Sequence, residues 1–271
     1  MTVVTAPAAV PATESRSRLG WAIADARTIA WRNLKGMSRT PEVIMFSTIQ
    51  PIIFVLTFRY VFGGSIKLPG GLSYVDFLMP GVFVQTVAFG AMNTGVGLSE
   101  DLHKGLIERF RSLPMAGSAV LVGRALSDLV RNTGVVLLMV GMGFLVGFRV
   151  HTGLLSFVGS LVLLLAFSVA FSWIFAVIGL SVPNAESTQA ASFPILALLV
   201  FASTAFAPAD NMPGWLRAYN EVQPVSVVVK AMRALSVGGE AARPVSYAVV
   251  WIIALLVVFV PLAVGRYRRA A

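Results

Sequence analysis

Cysteine is missing from all 271 residues, so the chain can build no disulfide framework, no thiolate nucleophile and no cysteine-ligated metal centre. Its two histidines, His103 and His151, stand far apart and form no metal-binding pair. Charge is scarce as well. Only 12% of residues are charged, against roughly 25% in a soluble domain. There is no Gly-Lys dipeptide, and so no P-loop to hold ATP. No HExxH, no GxSxG elbow and no pair of aspartates marks a hydrolase. Strand-like alternation of period two does not recur, which excludes a β-barrel.

What the chain has is apolar bulk, 57% of residues, and a net charge of +9 confined to the stretches between long apolar runs. Disordered chains have low hydrophobicity, so disorder cannot be the reading. A soluble nucleic-acid binder fits the basic balance no better. An α-helix needs about 20 mostly apolar residues to cross a bilayer core of about 30 Å. Six runs qualify: Val43–Phe62, Phe77–Gly97, Ser127–Gly147, Leu154–Leu180, Ala191–Ala207 and Tyr247–Gly265, the fifth being the shortest. The expected fold is therefore an all-α integral membrane protein of six transmembrane helices.

Cations set the orientation. Arg16, Arg18, Arg27, Arg32, Lys35 and Arg39 precede the first run. Lys104, Arg109, Arg111, Arg124 and Arg131 lie between the second and third, and Arg266, Arg268 and Arg269 follow the last. These fourteen share one side in a six-span chain, against six on the other: Lys67, Arg149, and four within 208–246. Both termini are expected in the cytoplasm, with multi-pass residence in the cytoplasmic membrane. The abundance of Ala, Val, Gly and Arg points weakly to a GC-rich bacterial source. Residues 1–15 read as a disordered tail without the features of a cleaved signal peptide. Residues 16–42 hold an interfacial helix, 43–265 the membrane domain and 266–271 a short tail.

Within that first segment, Leu19, Ile23, Ala26, Ala30, Leu34 and Met37 gather on one helical face, with Arg32, Lys35 and Arg39 opposite. Such a helix lies in the headgroup layer; the alternative is a helical positive-inside flank. None of the twelve acids falls deep within an apolar run, Asp128 standing at the mouth of the third. A proton-driven carrier would need an intramembrane Asp, Glu or His, so uphill transport would draw on another polypeptide.

Residues 99–124 are longer and more patterned than a connector requires. Leu106, Ile107, Phe110 and Leu113 form an apolar face, Glu108, Arg109, Arg111 and Ser112 point away, and Pro114 stops the helix. A short helix of that kind suits a groove on a partner, although an interfacial connector is the plainer alternative.

At these residues the chain resembles the membrane subunit of ABC-2 type transporters, in particular the daunorubicin/doxorubicin-resistance permeases. The resemblance is carried by Arg39-Thr-Pro41, Gln50-Pro51 and Phe62-Gly63-Gly64 around the first span, and by Met79-Pro80-Gly81 to Gln85 in the second. It continues through Glu108-Arg109-Phe110-Arg111-Ser112-Leu113-Pro114-Met115, Gly123-Arg124, Asp128, Met212-Pro213-Gly214-Trp215-Leu216 and Pro224 to Gly238. Gln223 departs from the pattern, since such proteins often carry Asn there.

The resemblance implies a non-catalytic permease that pairs with a separate ATP-binding-cassette ATPase and with a second copy of itself. ATP and Mg²⁺ would bind the partner; this chain would hold no cofactor and no metal. It implies that Leu19–Met37 is the connecting helix and Gly105–Leu113 the coupling helix. Segment 208–246 would be an external loop with short re-entrant helices. A hydrophobic or amphiphilic substrate such as a drug is expected, with a lipid, glycolipid or polysaccharide as the alternative. Arg124, Asp128 and Arg131, spaced along one face, form a local ion-pair ladder or a coupling relay. Gln50, Phe54, Phe58, Arg59, Gln85 and Asn93 are candidate pathway residues. For each a structural role is the competing reading: a Pro51 kink, packing by Phe54 and Phe58, snorkelling of Arg59 to the headgroups, and interhelical hydrogen bonds from Gln85 and Asn93.

Overall fold

The computed structural model describes residues 41–62, 72–105 and 117–270, together with Trp31 and Lys35. Trp31 and Lys35 are helical and exposed. The rest of the expected connecting helix, and all of the coupling residues Leu106–Pro114, lie outside the described residues.

Among the described residues the protein is all helical. In chain order the α-helices are α1 (Pro41–Thr57), extended by a π-turn at Phe58–Phe62, α2 (Tyr74–His103), α3 (Gly117–Val146), α4 (Leu154–Gly179), α5 (Ala185–Phe201), α6 (Gly214–Val222), α7 (Pro224–Ser236) and α8 (Ala242–Ala270). Four contain a stretch long and apolar enough to cross a membrane: Tyr74–His103, Leu121–Val146, Leu154–Gly179 and Ala242–Arg269. The first and fifth expected spans fall on the shorter apolar helices Ile49–Val61 and Ala185–Phe201.

Helix α2 is the hub. It packs most extensively against α4, and also against α1, α3, α5 and α7, while α8 lies along α4. A helix apolar on every side belongs in a core, and α2 is buried along most of its length, from Phe77 through Ala88 to Leu98. The outer helices instead turn large apolar side chains outward, such as Val130, Leu137 and Leu145 on α3, Leu155 and Val162 on α4, and Val250, Ile253 and Val257 on α8. Apolar exposure on that scale, on helices of this length, is what a lipid surface accommodates.

Several boundaries depart from the hydropathy reading. The fifth helix runs Ala185–Phe201 rather than 191–207, because Asn184 caps it by accepting from the Ser187 amide (2.7 Å). Its other end closes where the Ser203 hydroxyl donates to the Val200 carbonyl (2.5 Å). Helix α3 begins at Gly117, well before Ser127, so Asp128 lies inside the helix and is only 4% exposed. Asp76 is as deeply buried, at the start of α2. Gly105, read as the first residue of the coupling helix, takes φ +64° instead and closes α2, its amide donating to the Leu102 carbonyl (3.1 Å).

One end of the bundle is closed by the short helices. Asp76 accepts from the Arg149 amide (2.8 Å) and meets His151 Nε2 (3.1 Å), tying the α3–α4 connection to α2. The Thr152 hydroxyl donates to the Leu235 carbonyl (2.6 Å) at the end of α7. Arg233 of α7 lies 3.6 Å from the Phe77 ring centre and donates to the carbonyls of Phe77 and Thr204. Burial lowers its pKa. Asn220, Gln223 and Ser226 form a buried hydrogen-bonded turn between α6 and α7. Segment 208–246 holds the short helices α6 and α7, and α7 is packed into the bundle through Val225, Val228, Val229 and Met232.

Candidate functional site

Two features meet between α2 and α3: a charge ladder and a cleft. On α3, Arg124, Asp128 and Arg131 recur on one helical face because their spacing is four and then three. Arg131 Nη2 lies 3.3 Å from Asp128 Oδ1, and Arg124 Nε lies 3.8 Å from Asp128 Oδ2. Helix α2 runs antiparallel and supplies the other half. Asp101 Oδ2 accepts from Arg124 (3.1 Å), Thr94 donates to Asp128 (2.5 Å), and the Gly90 carbonyl accepts from Arg131 (2.7 Å). The polar chain ends at Asn132, whose amide donates to Ser168 of α4 (2.6 Å).

Room for these side chains comes from glycine. A Cβ on Gly97 would sit 1.5 Å from the Arg124 guanidinium, and one on Gly90 would sit 2.7 Å from Asn132 Oδ1. Two acids and two arginines cancel in charge. Removing any one leaves an uncompensated charge in the interior, at a cost of about 3–5 kcal/mol.

The cleft opens beside the Arg131 end of the ladder and has a volume of about 360 Å³, within the usual range for small-molecule pockets. Helix α1 contributes Gln50 and Pro51, and α2 contributes Gln85, Thr86, Phe89, Met92 and Asn93. Helix α3 adds Arg131, Asn132 and Val135, and α5 adds Gln189. Gln85 is only 4% exposed, and its Oε1 has no hydrogen-bond partner.

Of the candidate pathway residues, the structure brings Gln50, Gln85 and Asn93 together on this cleft with Arg131. It leaves the other three outside. Phe54 and Phe58 stack at 5.9 Å and join Phe201 and Phe206 in an aromatic cluster where α1 meets the end of α5. Arg59 lies over Tyr60 and beside Gly147, with its Nη1 buried and unpaired. Sequence reasoning missed Thr94, Asp101, Asn132, Ser168 and Gln189. A signal for the first two was present: Gly90, Thr94, Gly97 and Asp101 repeat at four, three and four, matching the face of α3 that carries the charges. Among the described residues, no three His, Asp or Glu side chains converge as a metal site would require.

The described residues thus combine a buried ladder of charge, an amide-lined cleft and apolar outer faces. The family profile of ABC-2 type transporters matches residues 25–236. The chain belongs to the ABC-2 type transporter family. Among relatives of this ABC-2 permease is the daunorubicin resistance ABC transporter permease protein DrrB1 of Streptomyces coeruleorubidus, 34% identical over 92% of this chain and 87% of the relative. A probable doxorubicin resistance ABC transporter permease protein DrrC of Mycobacterium tuberculosis is 28% identical over 98% of this chain and 95% of its own length. A second protein from that organism, the doxorubicin resistance permease DrrB, is 31% identical over 77% of this chain and 74% of its own length. The ABC-2 permease described here is accordingly a multi-pass membrane protein and the permease subunit of an ABC transporter.

Proposed function

We propose that this permease moves a hydrophobic or amphiphilic substrate, such as a drug or antibiotic, out of the cell on ATP hydrolysed by a separate ATPase subunit. Its membrane path is α1, α2, α3, α4, α5 and α8, with both termini in the cytoplasm. The cation bias supports that orientation: fourteen lysines and arginines fall on the terminal side and six on the other. Helices α6 and α7 then belong to the external end, dipping part-way into the bilayer. Two copies of the permease work with two ATPases, which hold the ATP and Mg²⁺.

The observation that carries the reading is the ladder. It begins at Asp101 and Arg124, at the end of α2 and α3 from which residues 106–114 depart, and ends at Arg131 on the cleft wall. Leu106, Ile107, Phe110 and Leu113 would seat in the ATPase, with Glu108, Arg109, Arg111, Ser112 and Pro114 completing the coupling helix. Closure of the ATPases on ATP would push that helix, and the ladder would pass the movement to α3 and the cleft. Gln50, Gln85 and Asn93 would contact the passing substrate.

Reconstitution with the cognate ATPase tests this. Daunorubicin should stimulate ATP hydrolysis and be transported. Reversing both charges, Glu108→Lys with Arg111→Glu, should abolish transport while leaving membrane insertion intact. Unchanged efflux in that double variant would sink the coupling assignment.

A further inference from the structure

We propose that the crevice between α6, α7 and α8, where Glu221, Lys230, Arg243 and Tyr247 converge, binds the phosphoethanolamine headgroup of a bilayer lipid. That this lipid belongs to the outer leaflet rests on the orientation proposed above; the site itself does not.

Three helices build the crevice, which has a volume of about 320 Å³. Glu221 lies near the end of α6, Val227 and Lys230 on α7, and Arg243, Pro244 and Tyr247 near the start of α8. The Lys230 ammonium donates to the Asn220 carbonyl (3.2 Å), the residue next to Glu221. It feels Glu221 as an attractive charge and Arg233 as a repulsive one. Among the described residues Arg243 meets no carboxylate; its guanidinium lies 5.7 Å from the Tyr247 ring centre. It also stands in the first turn of a helix, where a cation is disfavoured and an anion is stabilised, and no acid occupies that turn.

The crevice thus sets two cations against one carboxylate, and a zwitterionic phospholipid answers both. A phosphodiester beside Lys230 and Arg243 takes charge-assisted hydrogen bonds from each. The ethanolamine ammonium of the same headgroup then gives Glu221 a charged donor. A choline group carries the charge without an N–H. A glycerol headgroup carries hydroxyls but nothing to balance the carboxylate. The lipid chains have a surface to follow. Trp251 Nε1 donates to the Val222 carbonyl (2.8 Å), and further along α8 the side chains of Val250, Ile253 and Val257 are exposed. Tyr247 and Trp251 therefore stand where headgroups give way to chains, as interfacial aromatics do. Val227 and Pro244 add an apolar wall for the glycerol backbone.

Native mass spectrometry of the delipidated full-length protein in detergent tests this, with phosphatidylethanolamine, phosphatidylcholine and phosphatidylglycerol of identical chains titrated in turn. Phosphatidylethanolamine should bind about tenfold more tightly than either of the others, the equivalent of one hydrogen bond between charged groups. Glu221 and Arg243 are both exposed, so substituting them disturbs no core. Arg243→Gln should weaken all three lipids about tenfold. Glu221→Gln should weaken phosphatidylethanolamine and strengthen phosphatidylglycerol, reversing the preference. Equal affinity for the three lipids, or tighter binding of phosphatidylglycerol to the unsubstituted protein, would overturn the proposal. So would a preference for phosphatidylethanolamine that both variants retain, because the lipid would then sit elsewhere. Glycerophosphoethanolamine, the same headgroup without chains, should displace the lipid only in large excess; displacement at equal concentration would make the ligand a soluble phosphate ester instead. A micelle has no leaflets, so failure here leaves the orientation and the export reading standing.

Discussion

Asp128 shows how a residue's meaning changes once its neighbours are known. Its spacing from Arg124 and Arg131 is legible in the chain, and so is the ion-pair ladder on one face of a helix. What the chain does not display is that Thr94 and Asp101 of α2 complete the set. Which helix faces which is decided by long-range packing. Asp128 is buried inside α3, and the argument against a proton relay keeps its footing, since both neighbouring arginines hold that carboxylate. Asp128→Leu should therefore destabilise the protein by about 3–5 kcal/mol, because two buried guanidiniums lose a shared partner. Adding Arg131→Met should recover a large part of that loss, leaving the Arg124–Asp101 pair intact. The midpoint of thermal unfolding in detergent micelles measures both. A double variant no more stable than the single would show that the ladder is not the source of the effect. Thr94→Val, which removes a hydrogen bond to a charged acceptor, should cost about 1.5–3 kcal/mol in the same assay.

Among elements, the crossing of α2 and α4 is the tightest junction described. A Cβ on Gly95 would lie 2.3 Å from the Phe175 carbonyl oxygen, and one on Gly179 would lie 2.2 Å from the Gly95 carbonyl oxygen. Backbone stands against backbone, and small residues are what allow membrane helices to approach so closely. Gly95→Val should cost about 3 kcal/mol or more by forcing the helices apart. Gly159, also on α4, has no atom within 4 Å of where its Cβ would be. Gly159→Ala should be neutral or stabilise by about 0.5–1 kcal/mol through helix propensity alone. Comparing detergent-solubilised thermal stability of the two variants separates a packing role from a general intolerance of substitution. Hydropathy predicted that these helices exist, with errors of several residues at their ends. Two of the errors trace to Asn184 and Gly105, where a side-chain cap and a left-handed turn set the boundary rather than apolarity.

For the molecule as a whole, topology is the property to test, and the absence of cysteine makes the test direct. In the six-span arrangement Glu240 is external and Ser181 is cytoplasmic; both are exposed on the bundle. In intact cells a membrane-impermeant maleimide should label Glu240→Cys, whereas Ser181→Cys should react only after permeabilisation. Labelling of both in intact cells would break the six-span arrangement.

The sequence by itself determined that the chain is a helical membrane protein, where its apolar helices run to within about three turns, and which transporter family it resembles. These follow from composition, the length of apolar runs and the order of local motifs, all of which are written along one dimension. Only the tertiary structure decided that Gln50, Gln85 and Asn93 share a cleft with Asn132 and Gln189, while Phe54, Phe58 and Arg59 stand elsewhere. The cleft is assembled from four helices, and the rotation of each about its own axis is fixed by its neighbours: by glycines at close crossings, by buried ion pairs and by aromatic packing. A hydropathy pattern carries no record of those contacts, because lipid and a protein interior are apolar alike.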